Sequence, residues 1–160
     1  GIKAGTRSNR ISGFEDWLFT FSELAGVKLE RTADIASESL VPTFKGTDAP
    51  RTAPLYREFP SYGSQQAIWD GKWKAIRTEM GKQMTTAGKV TTQLYDLEAD
   101  PAESNDLAAQ FPEVVKDLET KMAANHVPDE RFPLAGVDAE SGPQAKAKAK
   151  AAAKKQATAK

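Results

Sequence analysis

Gln66-Ala67-Ile68-Trp69-Asp70-Gly71-Lys72-Trp73-Lys74-Ala75-Ile76-Arg77 is the stretch on which the fold turns. Mixed apolar and polar runs flank Asp70-Gly71, a pair whose residues both tolerate positive φ and so close a two-residue hairpin. The pattern predicts strands over 66–69 and 72–78. Upstream, Pro54 to Phe59 reads as one more strand. Downstream, a polar loop over Gly81 to Lys89 leads to another, Thr91 to Leu97. The expectation is a small antiparallel sheet of about four strands, with Trp69, Trp73 and Tyr95 supplying its bulk.

Helical signals lie on both sides of this sheet, which makes the class α+β. Pro112 suits the first position of a helix whose Val114, Val115, Leu118 and Met122 form one apolar stripe, and that helix should lie across a sheet face. Asp100-Pro101-Ala102-Glu103 carries the same start signature. Near the N-terminus, residues 12–26 read as a helix opened by a capping box of Ser12 and Glu15. Phe14, Trp17, Leu18, Phe21, Leu24 and Ala25 recur there at helical spacing, and Gly26 suits the left-handed position that ends it. Nothing else in the chain is apolar enough to cover so wide an aromatic stripe. A short helical piece runs from Ser39 to Lys45, with Gly46 ending it. Residues 127–143, rich in proline, glycine and acids, read as an extended strap. Residues 144–160 use only Ala, Lys, Gln and Thr and cannot bury a core, so they read as a disordered or weakly helical tail. The chain thus divides into 1–53, 54–135 and 136–160.

Overall neutrality conceals an asymmetry. Of 22 basic residues, six are lysines after Glu140, where no acid occurs; the remaining 16 face all 22 acids, leaving about −6 over residues 1–143. There is no cysteine, which excludes disulfides, thiolate metal sites and a cysteine nucleophile. No apolar run approaches the ~20 residues needed to span a bilayer, and no membrane partner is expected. Gly1 to Gly5 lacks the apolar stretch of a signal peptide, which says nothing about export if Gly1 is internal to a longer protein.

Few residues invite chemistry. His126, the only histidine, is most simply a solvated residue favoured by the helix dipole. Asp96, Asp100, Glu103 and Asp106 lack the glycine and bidentate glutamate of a calcium loop, and turn formation explains them without a metal. The alternating lysines of the tail, with no interleaved aromatics, suit weak and salt-sensitive contact with a polyanion, or simply solubility.

Leu94-Tyr95-Asp96-Leu97-Glu98-Ala99-Asp100-Pro101-Ala102-Glu103-Ser104-Asn105-Asp106-Leu107 resembles the LYDLxxDPxExxNL segment near the C-terminus of sulfatases. Pro54 to Phe59 resembles that family's PLYWEF strand, and Gln66 to Arg77 its AVRxGKWKAI hairpin. Gly1 to Thr6 and Asp16 to Val27 resemble its WPGxIKPGT turn and DLxPTFxELAGV helix. The resemblance covers roughly residues 1–135. It implies that the 12–26 helix packs into an alkaline-phosphatase-like α/β catalytic domain, and that this chain is the last part of such an enzyme, periplasmic or secreted. The family hydrolyses sulfate esters with a formylglycine made from a Cys/Ser-x-Pro-x-Arg motif and with a calcium held by Asp and Asn oxygens. The nearest match here, Ser141-Gly142-Pro143-Gln144-Ala145, has Ala145 where arginine belongs. The family's nucleophile, metal ligands, catalytic lysines and histidines all map before Gly1, so no catalytic or metal-binding residue carries over.

One segment carries a site expectation. Many sulfatases have EHxGNRA where this chain has Glu58 to Gln66, in a loop approaching the active-site mouth. Here Phe59 replaces the histidine, a Pro-Ser-Tyr-Gly-type stretch is inserted, and Gln66 replaces the arginine. Tyr62 is suited to stack on a sugar or aryl ring, and Gln65 or Gln66 to hydrogen-bond hydroxyls; the alternative is an ordinary loop between strands. The implied partners are a missing N-terminal sulfatase domain and its sulfated substrate. The competing class is a non-catalytic binding module or truncated remnant whose basic tail contacts polyanions.

Overall fold

The computed structural model describes residues 2–30, 37–47 and 50–138; the lysine tail and the Ser141 to Ala145 stretch lie outside them. The chain forms two compact units: the first 55 residues with the hairpin tip 69–73, and residues 56–68 with those from 74 onward.

In the first unit, α1 spans Asp16–Leu24 and α2 spans Val41–Phe44. The helix is built with its polar side inward. Asp16 and Thr20, one turn apart, are fully buried, while Phe14 is 90% and Phe21 61% exposed. The buried pair receives the segment that follows. Asp16 accepts hydrogen bonds from the backbone N–H of Gly13 and of Glu38, each at 2.8 Å, and from Arg51 Nη1 at 2.6 Å. Thr20 Oγ1 donates to the Asp16 carbonyl at 2.6 Å and accepts from the Leu40 N–H at 2.9 Å. The predicted capping box does not form, because the helix starts later and Asp16, not Ser12, satisfies a free N–H at its start. Gly26 (φ +70°) ends the helix as expected, its N–H bonded to the Glu23 carbonyl and that of Val27 to Ser22. Gly46 (φ +86°) likewise follows α2.

The sheet comprises β1 (Leu55–Phe59), β2 (Gln65–Asp70), β3 (Trp73–Arg77) and β4 (Gln93–Asp96), in that spatial order and antiparallel. The hairpin turn is Gly71-Lys72, one residue later than expected, since Gly71 (φ +55°) alone takes the left-handed conformation and Asp70 stays in the strand. Side-chain alternation puts Tyr56, Glu58, Gln66, Ile68, Ala75 and Arg77 on one face. Ile68 and Ala75 are completely buried, as are Leu118 and Met122 of α4 (Pro112–Asn125). Trp69 and Trp73 are only half-buried, so the bulk of the core is aliphatic rather than the expected tryptophans.

Three further expectations fail. Residues 81–89 are not a loop: α3 runs Met80–Ala87, anchored by the fully buried Met80. Gln83 brackets it, donating to the Thr78 carbonyl and accepting from the N–H and hydroxyl of Thr91. Conversely, no helix follows Pro101. Asp100 Oδ2 accepts from the N–H groups of Ser104 and Asn105 at 2.7 and 2.8 Å, closing a turn, and Glu103 adopts a left-handed φ of +56°. The segment then pairs with β4: the Leu94 N–H donates to Asp106, and the Leu107 N–H to the Leu94 carbonyl. The strap is not extended throughout, since residues 134–138 turn back on themselves through bonds between Leu134 and Asp138.

Candidate functional site

The loop joining β1 to β2 is held in an unusual conformation. Tyr62, Gly63 and Ser64 all have positive φ, at +51°, +80° and +65°. For Tyr62 and Ser64 this is a sparsely populated region that persists only where the surroundings enforce it. The enforcing contacts are present. Ser64 is buried, its hydroxyl bonded to the Pro60 carbonyl (3.2 Å) and accepting from the Ala135 N–H (3.0 Å). The carbonyls of Gly63 and Ser64 accept from the N–H groups of Gly81 and Met80. Glycine suits position 63, because its φ of +80° strains other residues and a Cβ there would lie a tight 3.2 Å from the Glu79 Cα.

The loop presents two aromatic rings outward. Tyr62 is 81% exposed and stacks against Phe59, with ring centroids 5.9 Å apart and planes inclined by 21°. Gln65 is half-buried at the start of β2. Gln66 is buried and its amide is committed on both sides: Nε2 donates to Tyr56 Oη at 2.7 Å and Oε1 accepts from Arg77 Nη1 at 3.1 Å. Tyr62 and Gln65 therefore lie on the loop and its rim, while Gln66 supports the loop's strands from within.

Gln66 belongs to a polar chain crossing the sheet face. Tyr56 Oη donates to Glu58 at 2.6 Å, and Glu58 Oε2 lies 2.7 Å from His126 Nδ1; His126 Nε2 lies 2.9 Å from Asp138. At the other end Arg77 pairs with Glu119 of α4 at 2.8 Å, and Thr92 donates to the same carboxylate oxygen at 2.6 Å. The chain fastens α4 across the sheet, at Glu119 to β3 and at its end to β1. Burial and the neighbouring Glu58 push the Tyr56 phenol well above its usual value. Burial disfavours the His126 imidazolium, but its hydrogen bonds to Glu58 and Asp138 outweigh that and raise it. His126 is therefore not a solvated helix-end residue. Both ring nitrogens face carboxylates and its side chain is 8% exposed, so neither nitrogen remains to serve as a general base. The sequence signal for this arrangement is slight: Tyr56, Glu58 and Gln66 share a face by alternation, but nothing local points to His126 or Asp138.

The acidic residues do not assemble a cation site. Asp96, Asp100 and Asp106 accept backbone N–H groups, and Glu103 takes both oxygens to Lys74 at 2.6 Å. Among the described residues no group of three or more His, Cys, Asp or Glu could hold a metal ion. Also among the described residues, no helix is long and apolar enough to cross a membrane.

No protein-family model matches the chain. Over 132 residues it is 26% identical to arylsulfatase K of Xenopus laevis, a match covering 76% of this chain and 23% of that protein. Over 93 residues it is 37% identical to the choline-sulfatase of Rhizobium meliloti, covering 56% and 16% respectively. A solved structure in complex with its substrate D-glucosamine-2-N,6-O-disulfate superposes with a TM-score of 0.57 at 25% identity, over 77% of this chain and 25% of that one. The chain thus spans less than a quarter of the length of these curated relatives.

Proposed function

We propose that this chain, which corresponds to the C-terminal part of sulfatases, completes a sulfate-ester hydrolase whose reacting groups are carried by preceding sequence. The observation that carries this reading is the inverted α1. Its polar side is buried and its aromatic side is open, with Phe14, Leu18, Phe21 and Leu24 all more than half exposed. A contiguous apolar surface of this kind marks an interface, and an α/β catalytic domain is the cover that the sulfatase resemblance supplies. Formylglycine and calcium belong to that domain in this reading; no described residue of this chain is assigned to either.

The Phe59–Tyr62 loop is the part of this chain that meets substrate in our reading. A strained loop pinned at Gly63 and Ser64 holds the rings with little further ordering on binding, which suits a face for a sugar or aryl group bearing the sulfate ester. Gln65 offers an amide to hydroxyls beside it, and Gln66 contributes by holding Tyr56 and Arg77. The lysine tail adds at most weak, salt-sensitive attraction to a polyanionic substrate. A free-standing binding module is disfavoured by the breadth of the sulfatase match, 76% of the chain.

The test is hydrolysis of 4-nitrophenyl sulfate by the 160-residue chain and by the same chain extended in frame at its N-terminus by its native coding sequence. The extended protein is expected to turn over in a calcium-dependent manner and the shorter one not at all. Turnover by the 160 residues alone, or an extension that lacks a Cys/Ser-x-Pro-x-Arg motif, overturns the proposal.

A further inference from the structure

In the first unit the N-terminal segment and α2 enclose a half-open groove of about 520 Å3, a volume within the range of small-molecule sites. Its walls carry three cationic side chains, Lys3, Arg7 and Lys45, and no acid. Arg10 and Arg51 of the same unit are instead buried against Glu38 and Asp16 at 2.7 and 2.6 Å. Lys3, Arg7 and Lys45 have no carboxylate within ion-pairing distance among the described residues. Three like charges that line one groove, with no carboxylate paired to them among the described residues, repel one another, and an anion between them relieves that repulsion. Ile2 and Phe44 add apolar wall, and Thr43 a hydroxyl.

We infer that this groove binds a sulfo group carried on a saccharide, with Arg7 gripping the oxyanion through its planar fork, Lys3 and Lys45 supplying charge, and Phe44 and Ile2 facing the ring. The inference rests on the sulfatase reading for its ligand class and concerns residues other than those of the Phe59–Tyr62 loop. Each sulfo group adds a full negative charge that the unsulfated backbone lacks, and a guanidinium can take two of its oxygens at once. The groove therefore retains sulfated chains in preference to unsulfated ones of the same backbone.

The experiment is calorimetric titration of the full 160-residue chain, its six tail lysines replaced by glutamine to silence the tail, with chondroitin 6-sulfate hexasaccharide and with unsulfated chondroitin hexasaccharide. Lys3→Gln/Arg7→Gln/Lys45→Gln is compared with a charge-matched control, Lys82→Gln/Lys89→Gln/Lys116→Gln, whose residues are exposed in the second unit. The groove variant is expected to bind the sulfated probe at least about tenfold more weakly and the control within about twofold. Arg7→Lys alone should lose several-fold, since it keeps the charge and loses the fork. Equal losses in the two triple variants, equal affinity for the two probes, or no binding to either would overturn the inference. None of these outcomes bears on turnover of 4-nitrophenyl sulfate, so failure of the groove and failure of the sulfatase reading are told apart.

Discussion

Arg51 Nη1 lies 2.6 Å from Asp16 Oδ2, beneath a helix whose outward side carries Phe14, Leu18 and Phe21. The ion pair is nearly dry, with side-chain exposures of 6% and 0%. Burial works against the Asp16 carboxylate, but the N–H groups of Glu38 and Gly13 and the Arg51 guanidinium outweigh it and hold its pKa below the usual value. The first unit is thus organised around charges, and its apolar helix face is left for another surface.

Removing one partner of that pair leaves the other buried and uncompensated. Asp16→Ala is expected to cost about 3–5 kcal/mol, and Asp16→Leu combined with Arg51→Met distinctly less, because a matched apolar pair strands no charge. Urea unfolding of the three proteins measures both. Equal losses would mean that the ion pair is not the organising contact.

His126 sets a pH dependence. Its folded pKa is raised above the ordinary ~6.5, so its bonds to Glu58 and Asp138 contribute fully below that value and are lost as pH rises through the folded one. Asp138 has the opposite sign: its lowered pKa means stability present above the ordinary carboxylate range and lost as pH falls through the folded value. Urea midpoints should fall between pH 6 and pH 9 in the native protein, and the fall should vanish in His126→Gln.

The β1–β2 loop should be intolerant at its glycine and tolerant at its tyrosine. Gly63→Ala combines a φ of +80° with a 3.2 Å approach to the Glu79 Cα and is expected to cost about 1–3 kcal/mol. Tyr62→Ala removes an 81% exposed ring and should leave stability within about 0.5 kcal/mol. In the extended enzyme, Tyr62→Ala should instead raise KM for aryl or sugar sulfates. Thermal melts and steady-state kinetics together separate the two roles.

Phe21→Ser with Leu24→Ser tests what the open helix face is for. In the 160-residue chain the pair should reduce hydrophobic-dye binding and self-association without loss of stability, since both side chains are about 60% exposed. In the extended protein the same pair should lower the melting temperature, because the face would then be covered. An unchanged melt in the extended protein would show that nothing docks there.

Much of this fold was legible from local patterns. The Asp70-Gly71 region had to be a hairpin, Val114 to Met122 had to be a helix with one apolar side, and Gly26 and Gly46 had to end helices, because each follows from backbone freedom or a period visible within a dozen residues. The failures share a cause. Residues 80–87 are helical although only Met80, Met84 and Ala87 are apolar, and Asp100-Pro101 opens a turn although it has a helix-start signature. In each case contacts distant in sequence outweighed local propensity: Met80 is buried with its N–H bonded to Ser64, and the 106–107 segment is recruited to the β4 edge.

The sequence by itself determined the sheet, its order of elements and the likeness to sulfatases, since these are written in short-range spacing and in motifs that need no partner to be recognised. It also determined that these 160 residues contain no cysteine. Only the tertiary structure decided that α1 buries Asp16 and Thr20 rather than its aromatic stripe, that His126 lies between Glu58 and Asp138, 68 and 12 residues away, and that Gln66 is spent inside the sheet while Tyr62 stands out from it. Those outcomes depend on which buried polar groups find partners, and a hydrogen bond of 2.7 Å between residues so far apart leaves no local trace in the chain.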